Sequence, residues 1–292
     1  MTAGVRSVRG VAHAPGRASR LLILGVVGLV FAVPILAMIE FTLRRGLAGG
    51  HDVQRWTLLF QNGLTGEYAP VLAALANSVG LAVGTVVIVL VLLVPTMLLV
   101  HIRFPRLRRT LEILCILPIS IPAIVLVVGL APVFSVLARF VGSGVWTLAF
   151  AYGITVLPFA YRAIQANLDG VDVRTLSEAA RTLGAGWGSV LLRVLVPNLR
   201  RGILAGAFIA VAVVLGEFTI ASLLNRVNLQ TALVVVSKND PYTAVILSLI
   251  ALLVAFGLLM AIGRLGAPRR TPRRRALTAP STPAPTPTGD RP

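Results

Sequence analysis

The chain has 292 residues, of which 57% are apolar and only 13% charged, and 27 Lys and Arg against 10 Asp and Glu give it a formal net charge of +17. With a mean hydropathy of +0.89 it has too little polar surface for a water-soluble domain of this size, which places it in a bilayer. The basic excess also raises nucleic acid, but the arginines flank apolar runs and no aromatic-basic module accompanies them, so contact with anionic membrane lipids is expected and no nucleic-acid partner.

Residues 1–20 read as a basic N-terminal arm. The first apolar run, Leu21–Ile39, is longer than the roughly 7–15 residues of a signal-peptide core, and no clean small-residue cleavage site follows it, so it is expected to stay as a helix. Residues 40–73 form the longest segment between apolar runs, and Trp56-Thr57-Leu58-Leu59-Phe60 within it suits a short interfacial helix. Further runs follow at Ala74–Val100, Leu111–Leu137, Val145–Ile164, Ile203–Leu224 and Thr243–Ile262, close to the roughly 20 residues that cross a hydrocarbon core. Backbone polar groups in lipid must be satisfied within the segment, and no ten-residue alternation suggests a barrel. The fold class is therefore an all-α membrane protein with six transmembrane helices in a domain over residues 21–263. From Arg264 to Pro292 the chain is rich in Arg, Pro and Thr, with nothing apolar enough to bury, and is expected to be a disordered tail.

With the N-terminus in the cytoplasm, the inner segments hold 21 of the 27 basic residues. Both termini and the loop at 166–201 are accordingly expected on the cytoplasmic side. Gly80 and Gly84, and Gly202 and Gly206, have the spacing that lets helices approach closely. Pro34, Pro95, Pro118, Pro122, Pro132 and Pro158 each remove a backbone donor, so they kink spans or mark their ends. Glu112 is read as a partner of Arg108 or Arg109 on its own helix face. Asn77 and Ser78 open the second span and serve either packing or a translocation path. Glu217, with Phe218 beside it, stands some fifteen residues into the fifth span, where a carboxylate is expensive and needs a polar partner or cavity. A structural hydrogen-bonding role and a place in the path or its gate both stand.

The chain carries no chemistry of its own. Its only lysine, Lys238, is outside any P-loop pattern, and no Ser/His/Asp set or paired carboxylates are present. His13, His51 and His101 are scattered without ligand spacing, and Cys115 is alone, so neither cofactor nor metal is expected.

The most specific pattern lies in the loop: Glu178-Ala179-Ala180, three residues, Gly184, nine residues, then Val194-Leu195-Val196-Pro197. Glu178 to Leu183 is a good helix sequence that Ser177 or Thr175 suits as a cap. Asp169 and Asp172 before it suit the positive end of its dipole. Gly184 fits its end, and a second short helix is expected to stop before Pro197. The whole resembles the EAA loop of ABC-transporter permeases, with Val194 and Val196 as conservative departures. The stretch Leu117–Val125 also resembles the third-span region of permeases for polyamines, sulfate, iron and phosphonates.

This resemblance, to the binding-protein-dependent type I (MetI-like) permeases, covers roughly Leu21–Ile262. It implies a bacterial inner-membrane subunit whose residues Glu178, Ala179, Ala180, Gly184, Val194, Val196 and Pro197 dock on a separate ATPase. The implied partners are two ATP-binding subunits, a second permease that is identical or homologous, and an extracytoplasmic solute-binding protein. The implied solute is small and hydrophilic, polyamine-like by preference, with sulfate, iron, phosphonate or thiamine as alternatives. Glu217, Phe218 and Asn77 are the candidates for the path or gate. An ATP-independent channel or secondary transporter and a membrane scaffold are the readings from other classes.

Overall fold

A computed structural model describes residues 16–45, 49–63, 66, 68–142 and 144–266, and among them the fold is helical, with one isolated bridge between Arg44 and His51. Most of the N-terminal arm and of the tail lies outside the described residues. Helix α1, Arg17–Leu43, is largely apolar, and an 18-residue stretch of it is left unburied by the rest of the chain. Its far end is held by specific contacts. Phe41 stacks on Tyr242 with ring centres 4.8 Å apart, and the Arg55 guanidinium lies 3.9 Å from the centre of the same Tyr242 ring. Trp56 Nε1 donates to Thr42 Oγ1 at 3.1 Å. Arg55 and Trp56 belong to α2, Gln54–Leu58, which unwinds into a π-type turn at Leu59–Gly63, so the expected interfacial segment is helical.

Helix α3, Ala69–Arg103, has 35 residues and reaches about 52 Å at 1.5 Å per residue. The expected third span, Leu111–Leu137, is not one helix. Helix α4, Arg108–Ile116, gives way to a 3₁₀ turn at Leu117–Ser120, and α5 runs only from Ala123 to Val141. The cause is local: Ile121 is extended (φ −101°, ψ 120°), as the residue before a proline prefers, and Pro118 opens the 3₁₀ turn. Glu112 does not pair within α4. It faces Arg162, in the helix Leu148–Leu168, at 3.8 Å, while Arg108 pairs with Asp169, which also accepts from Gln165 Nε2 at 2.7 Å.

Helix α6, Leu148–Leu168, is followed by α7, Val173–Thr182, and α8, Trp187–Asn198. Helix α9, Arg200–Leu215, leaves α8 at a bend of 74°. The expected fifth span therefore ends at Leu215 and not at Leu224. Short α10, Thr219–Leu223, and α11, Leu229–Asn239, fold back before α12, Pro241–Gly266. Among the described residues five helices are long and apolar enough to cross a membrane, and a sixth is counted when α8 and α9 are taken as one crossing.

Helix α9 is the centre of the bundle, packed on α6, α3 and α12. Its approach to α6 is set by glycine. A Cβ at Gly202 would stand 2.6 Å from Asn167 Cβ and 3.2 Å from the Ala163 carbonyl oxygen, and one at Gly206 would stand 3.5 Å from the Ala160 carbonyl oxygen. The second glycine pair behaves differently, since Gly84 faces Ala149 while Gly80 faces open space. Tyr152, Tyr161, Leu148, Ile164 and Leu168 of α6 are fully buried against this arrangement.

Candidate functional site

At the loop end of the bundle, α7 and α8 form a knob against the end of α3. Asp172 caps α7, accepting from the Thr175 amide at 3.1 Å and from its hydroxyl at 2.7 Å, so the helix begins earlier than Glu178. These bonds and the nearby positive charge of Arg174 hold the Asp172 carboxyl below the usual carboxylate range, the Thr175 hydroxyl contributing most. The helix ends in a Schellman motif: Ala185 N–H donates to the Ala180 carbonyl at 3.1 Å and Gly184 N–H to the Arg181 carbonyl at 2.9 Å. Gly184 sits at φ +85°, a left-handed conformation that costs other residues energy.

The knob presents Glu178, Ala179, Gly184 and Pro197 outward, with Ala180, Val194 and Val196 half-buried beneath. Glu178 accepts from Arg174 Nε at 3.0 Å on the exposed face. Its tip is apolar. Leu183 is 89% exposed and Trp187 51% exposed, with the Arg181 guanidinium 4.8 Å from the Trp187 ring centre. Pro197 does not lie beyond the second helix. Val190–Leu195 is wound as a π-helix that runs on into Val196–Asn198, so Pro197 sits in the last turn of α8.

At the far end, α9 breaks at Gly216 and the Glu217 carboxylate caps α10, accepting from Ile220 N–H at 2.9 Å and from Ala221 N–H at 3.4 Å. Asn228, which sequence reasoning did not single out, is buried behind it. Its side-chain amide donates to the Glu217 carbonyl at 2.6 Å and to the Tyr152 hydroxyl at 3.2 Å. Its carbonyl oxygen accepts from Thr231 N–H at 2.9 Å while Thr231 Oγ1 accepts from Asn228 N–H at 2.9 Å, a reciprocal cap that opens α11. The Asn-x-x-Thr spacing ahead of an apolar run was the available signal. Ser78 of α3 completes the knot by accepting from Leu229 N–H at 2.8 Å.

Glu217 is half-buried and Phe218 is 40% exposed at this break. Asn77 is not brought to them. It lies on the exposed face of α3, and its neighbour Ser78 reaches the knot through Leu229 N–H. Helix α9 spans the distance from the knob to the knot, about 24 Å at 1.5 Å per residue over 16 residues, and α6 and α3 run beside it.

The family described as "Binding-protein-dependent transport system inner membrane component" matches residues 97–273, which take in the end of α3, the knob, α9 and the knot. The chain belongs to this family. It is 37% identical over 134 residues to the molybdenum transport system permease protein ModB of Escherichia coli K12, covering 41% of this chain and 57% of that protein. It is 31% identical over 208 residues to the ModB of Mycobacterium tuberculosis H37Rv, covering 65% of this chain and 78% of that protein. The sulfate transport system permease protein CysT of Escherichia coli K12 is 34% identical over 131 residues, covering 41% of this chain and 47% of that protein. The matched stretch thus spans little more than half of the first of these relatives.

Proposed function

We propose that the chain is the membrane-spanning subunit of an ATP-driven importer and that its solute is a small tetrahedral oxyanion of the molybdate or sulfate class. The exposed apolar tip of the knob carries the first part. Leu183 and Trp187 on a rigidly capped turn are a costly thing to leave in water, and a groove on an ATPase partner is the occupant that the family implies. The solute rests on the relatives named for molybdenum and sulfate transport; the polyamine-like solute expected from the sequence draws no support from them.

In this reading the basic residues keep the knob and both termini in the cytoplasm, and the polar knot faces outward. Two permeases, alike or different, pair around the path, two ATPase chains hold the knobs, and a binding protein delivers the solute. The bend at Leu199, a fully buried residue, joins the knob rigidly to α9. A displacement of the knob then rotates α9, and the glycine seam carries α6 with it. Both helices end at the knot, through Glu217 and Tyr152, so closure of the ATPases changes the outer break as a rigid-body event. Glu217 acts there by fixing the break, and Phe218 lines the surface that meets the path.

The test is to tag the chain, extract native complexes in mild detergent, identify the co-purifying chains, and measure ATP-dependent uptake of radiolabelled molybdate and sulfate after reconstitution. An ATPase with a binding protein, and uptake of either anion, is the expected result. Absence of any ATPase after cross-linking through the knob would sink the importer reading, and ATP-driven uptake of a different solute would sink the oxyanion alone.

A further inference from the structure

Of the arginines and lysine at the far end, Arg55 and Arg226 are half-buried and the rest are exposed, and three of the six have partners. Arg44 pairs with Glu40 at 2.7 Å and Arg45 with Asp52 at 3.3 Å, while Arg55 lies against the Tyr242 ring and donates to the Arg44 carbonyl at 2.6 Å. Arg139 and Lys238 are open to their surroundings. Arg226 stands apart. It is half-buried, its Nε is buried with no acceptor, and among the described residues its guanidinium forms no ion pair.

Its place is fixed from both sides. Helix α10 ends in a left-handed residue, Asn225 at φ +52°, with Asn225 N–H donating to the Ser222 carbonyl at 3.1 Å and Arg226 N–H to the Ala221 carbonyl at 2.8 Å. On the other side Thr231 Oγ1 lies 3.4 Å from the Arg226 carbonyl oxygen. Glu217 forms no ion pair with it among the described residues, its two oxygens accepting instead from the amides of Ile220 and Ala221. A half-buried guanidinium on a fixed turn, without a carboxylate partner among the described residues, is suited to binding an oxyanion through charge-assisted N–H donors.

We infer that Arg226 is an anion-contacting residue at the outer mouth of the path, receiving the oxyanion beside the break at Gly216–Phe218. This rests on the oxyanion reading above. The guanidinium would hold the anion through charge-assisted hydrogen bonds while the knot keeps the turn in register, and it would disfavour cations at the same point.

The experiment uses the full importer reconstituted in liposomes with its ATPase and binding protein, and compares the native chain with Arg226→Gln and Arg226→Lys. At saturating loaded binding protein, Arg226→Gln is expected to lower molybdate or sulfate uptake by about tenfold to a hundredfold, with Arg226→Lys recovering much of the loss and basal ATP hydrolysis unchanged. Should Arg226→Gln fail to assemble, Arg226→Met, which keeps the packed stem, reads the same quantities. Native-level uptake by the neutral variant overturns the assignment and leaves the oxyanion reading in place. Normal uptake at saturation with weakened docking of the binding protein moves Arg226 to the docking face and also overturns it. If the native importer carries neither anion but drives another solute, the oxyanion reading itself fails.

Discussion

The side-chain amide of Asn228 donates to the Glu217 carbonyl oxygen at 2.6 Å, across a separation of 11 residues that contains a break, a short helix and a turn. One asparagine therefore closes the segment that replaces the end of the fifth crossing, and it does so in the protein interior, where an orphaned partner is expensive.

Asn228→Ala removes the donor to Glu217 and Tyr152 and the cap of α11 together. Buried groups left unpaired cost about 1–3 kcal/mol, although hydrogen bonds within membranes average about 0.6 kcal/mol, so a loss of about 1–3 kcal/mol is expected. Asn228→Asp keeps an acceptor for Thr231 N–H but sets a carboxylate oxygen against the Glu217 carbonyl, and is expected to be no better. The midpoint of thermal unfolding in detergent measures both, and an alanine variant with the native midpoint would remove the knot from the stability of this fold.

Gly184 separates backbone strain from contact. A Cβ there meets nothing within 4 Å, yet its φ of +85° lies in the left-handed region, which costs an ordinary residue about 1–2 kcal/mol. Gly184→Val should therefore distort the knob without touching the bundle. Less ATPase should stay on the tagged chain and uptake should fall while insertion is normal, whereas Gly184→Asn should be milder. Equal ATPase retention by the valine variant and the native chain would show that the turn does not need its left-handed residue.

The two glycine pairs make a paired experiment. Gly202→Val places a side chain where Asn167 Cβ and the Ala163 carbonyl already stand, and overpacking of this kind costs about 1–3 kcal/mol. Gly80→Ala fills open space and improves helix propensity by about 0.8–1.0 kcal/mol. The fraction of chain that stays monodisperse on heating in detergent should fall for the first and hold for the second. Similar behaviour of the two variants would mean that the α6–α9 seam is looser than this geometry.

The knob was readable in large part because its signals are chemical. A glycine at a helix end and a carboxylate before a helix each have one or two physical uses, so Asp172 and Gly184 fall close to where the pattern puts them, whereas Pro197, expected beyond the second helix, lies within it. The spans were readable in number and less so in extent. Hydropathy counts apolar atoms and is blind to the backbone, so it ran Leu111–Leu137 through Pro118 and Pro122 and ran Ile203–Leu224 through the break at Gly216. Partners far apart in sequence were out of reach. Glu112 has two arginines on its own helix, yet it is Arg162 that faces it. The buried role of Asn228 could not be read because Tyr152, whose hydroxyl accepts from it, is 76 positions away, and Ser78, which accepts from the next residue Leu229, is 151 positions from that residue.

The cap of α7 gives a pH prediction with a definite sign. The Asp172 carboxyl is held below its ordinary value of 3.8 by the Thr175 hydroxyl and amide, so its folded state favours the charged form. The stability it contributes is fully present above the ordinary value and is lost only as pH falls through the lowered one. Amide hydrogen exchange across Val173–Thr182 in the detergent-solubilised complex should therefore show the same protection at neutral and mildly acidic pH, once corrected for intrinsic rates. Asp172→Ala should exchange faster throughout that range, and the native helix should approach it only below 3.8. If the native helix loses protection well above that value, another group governs the knob; if Asp172→Ala is as protected as the native chain, the cap seen at Thr175 does not hold the helix.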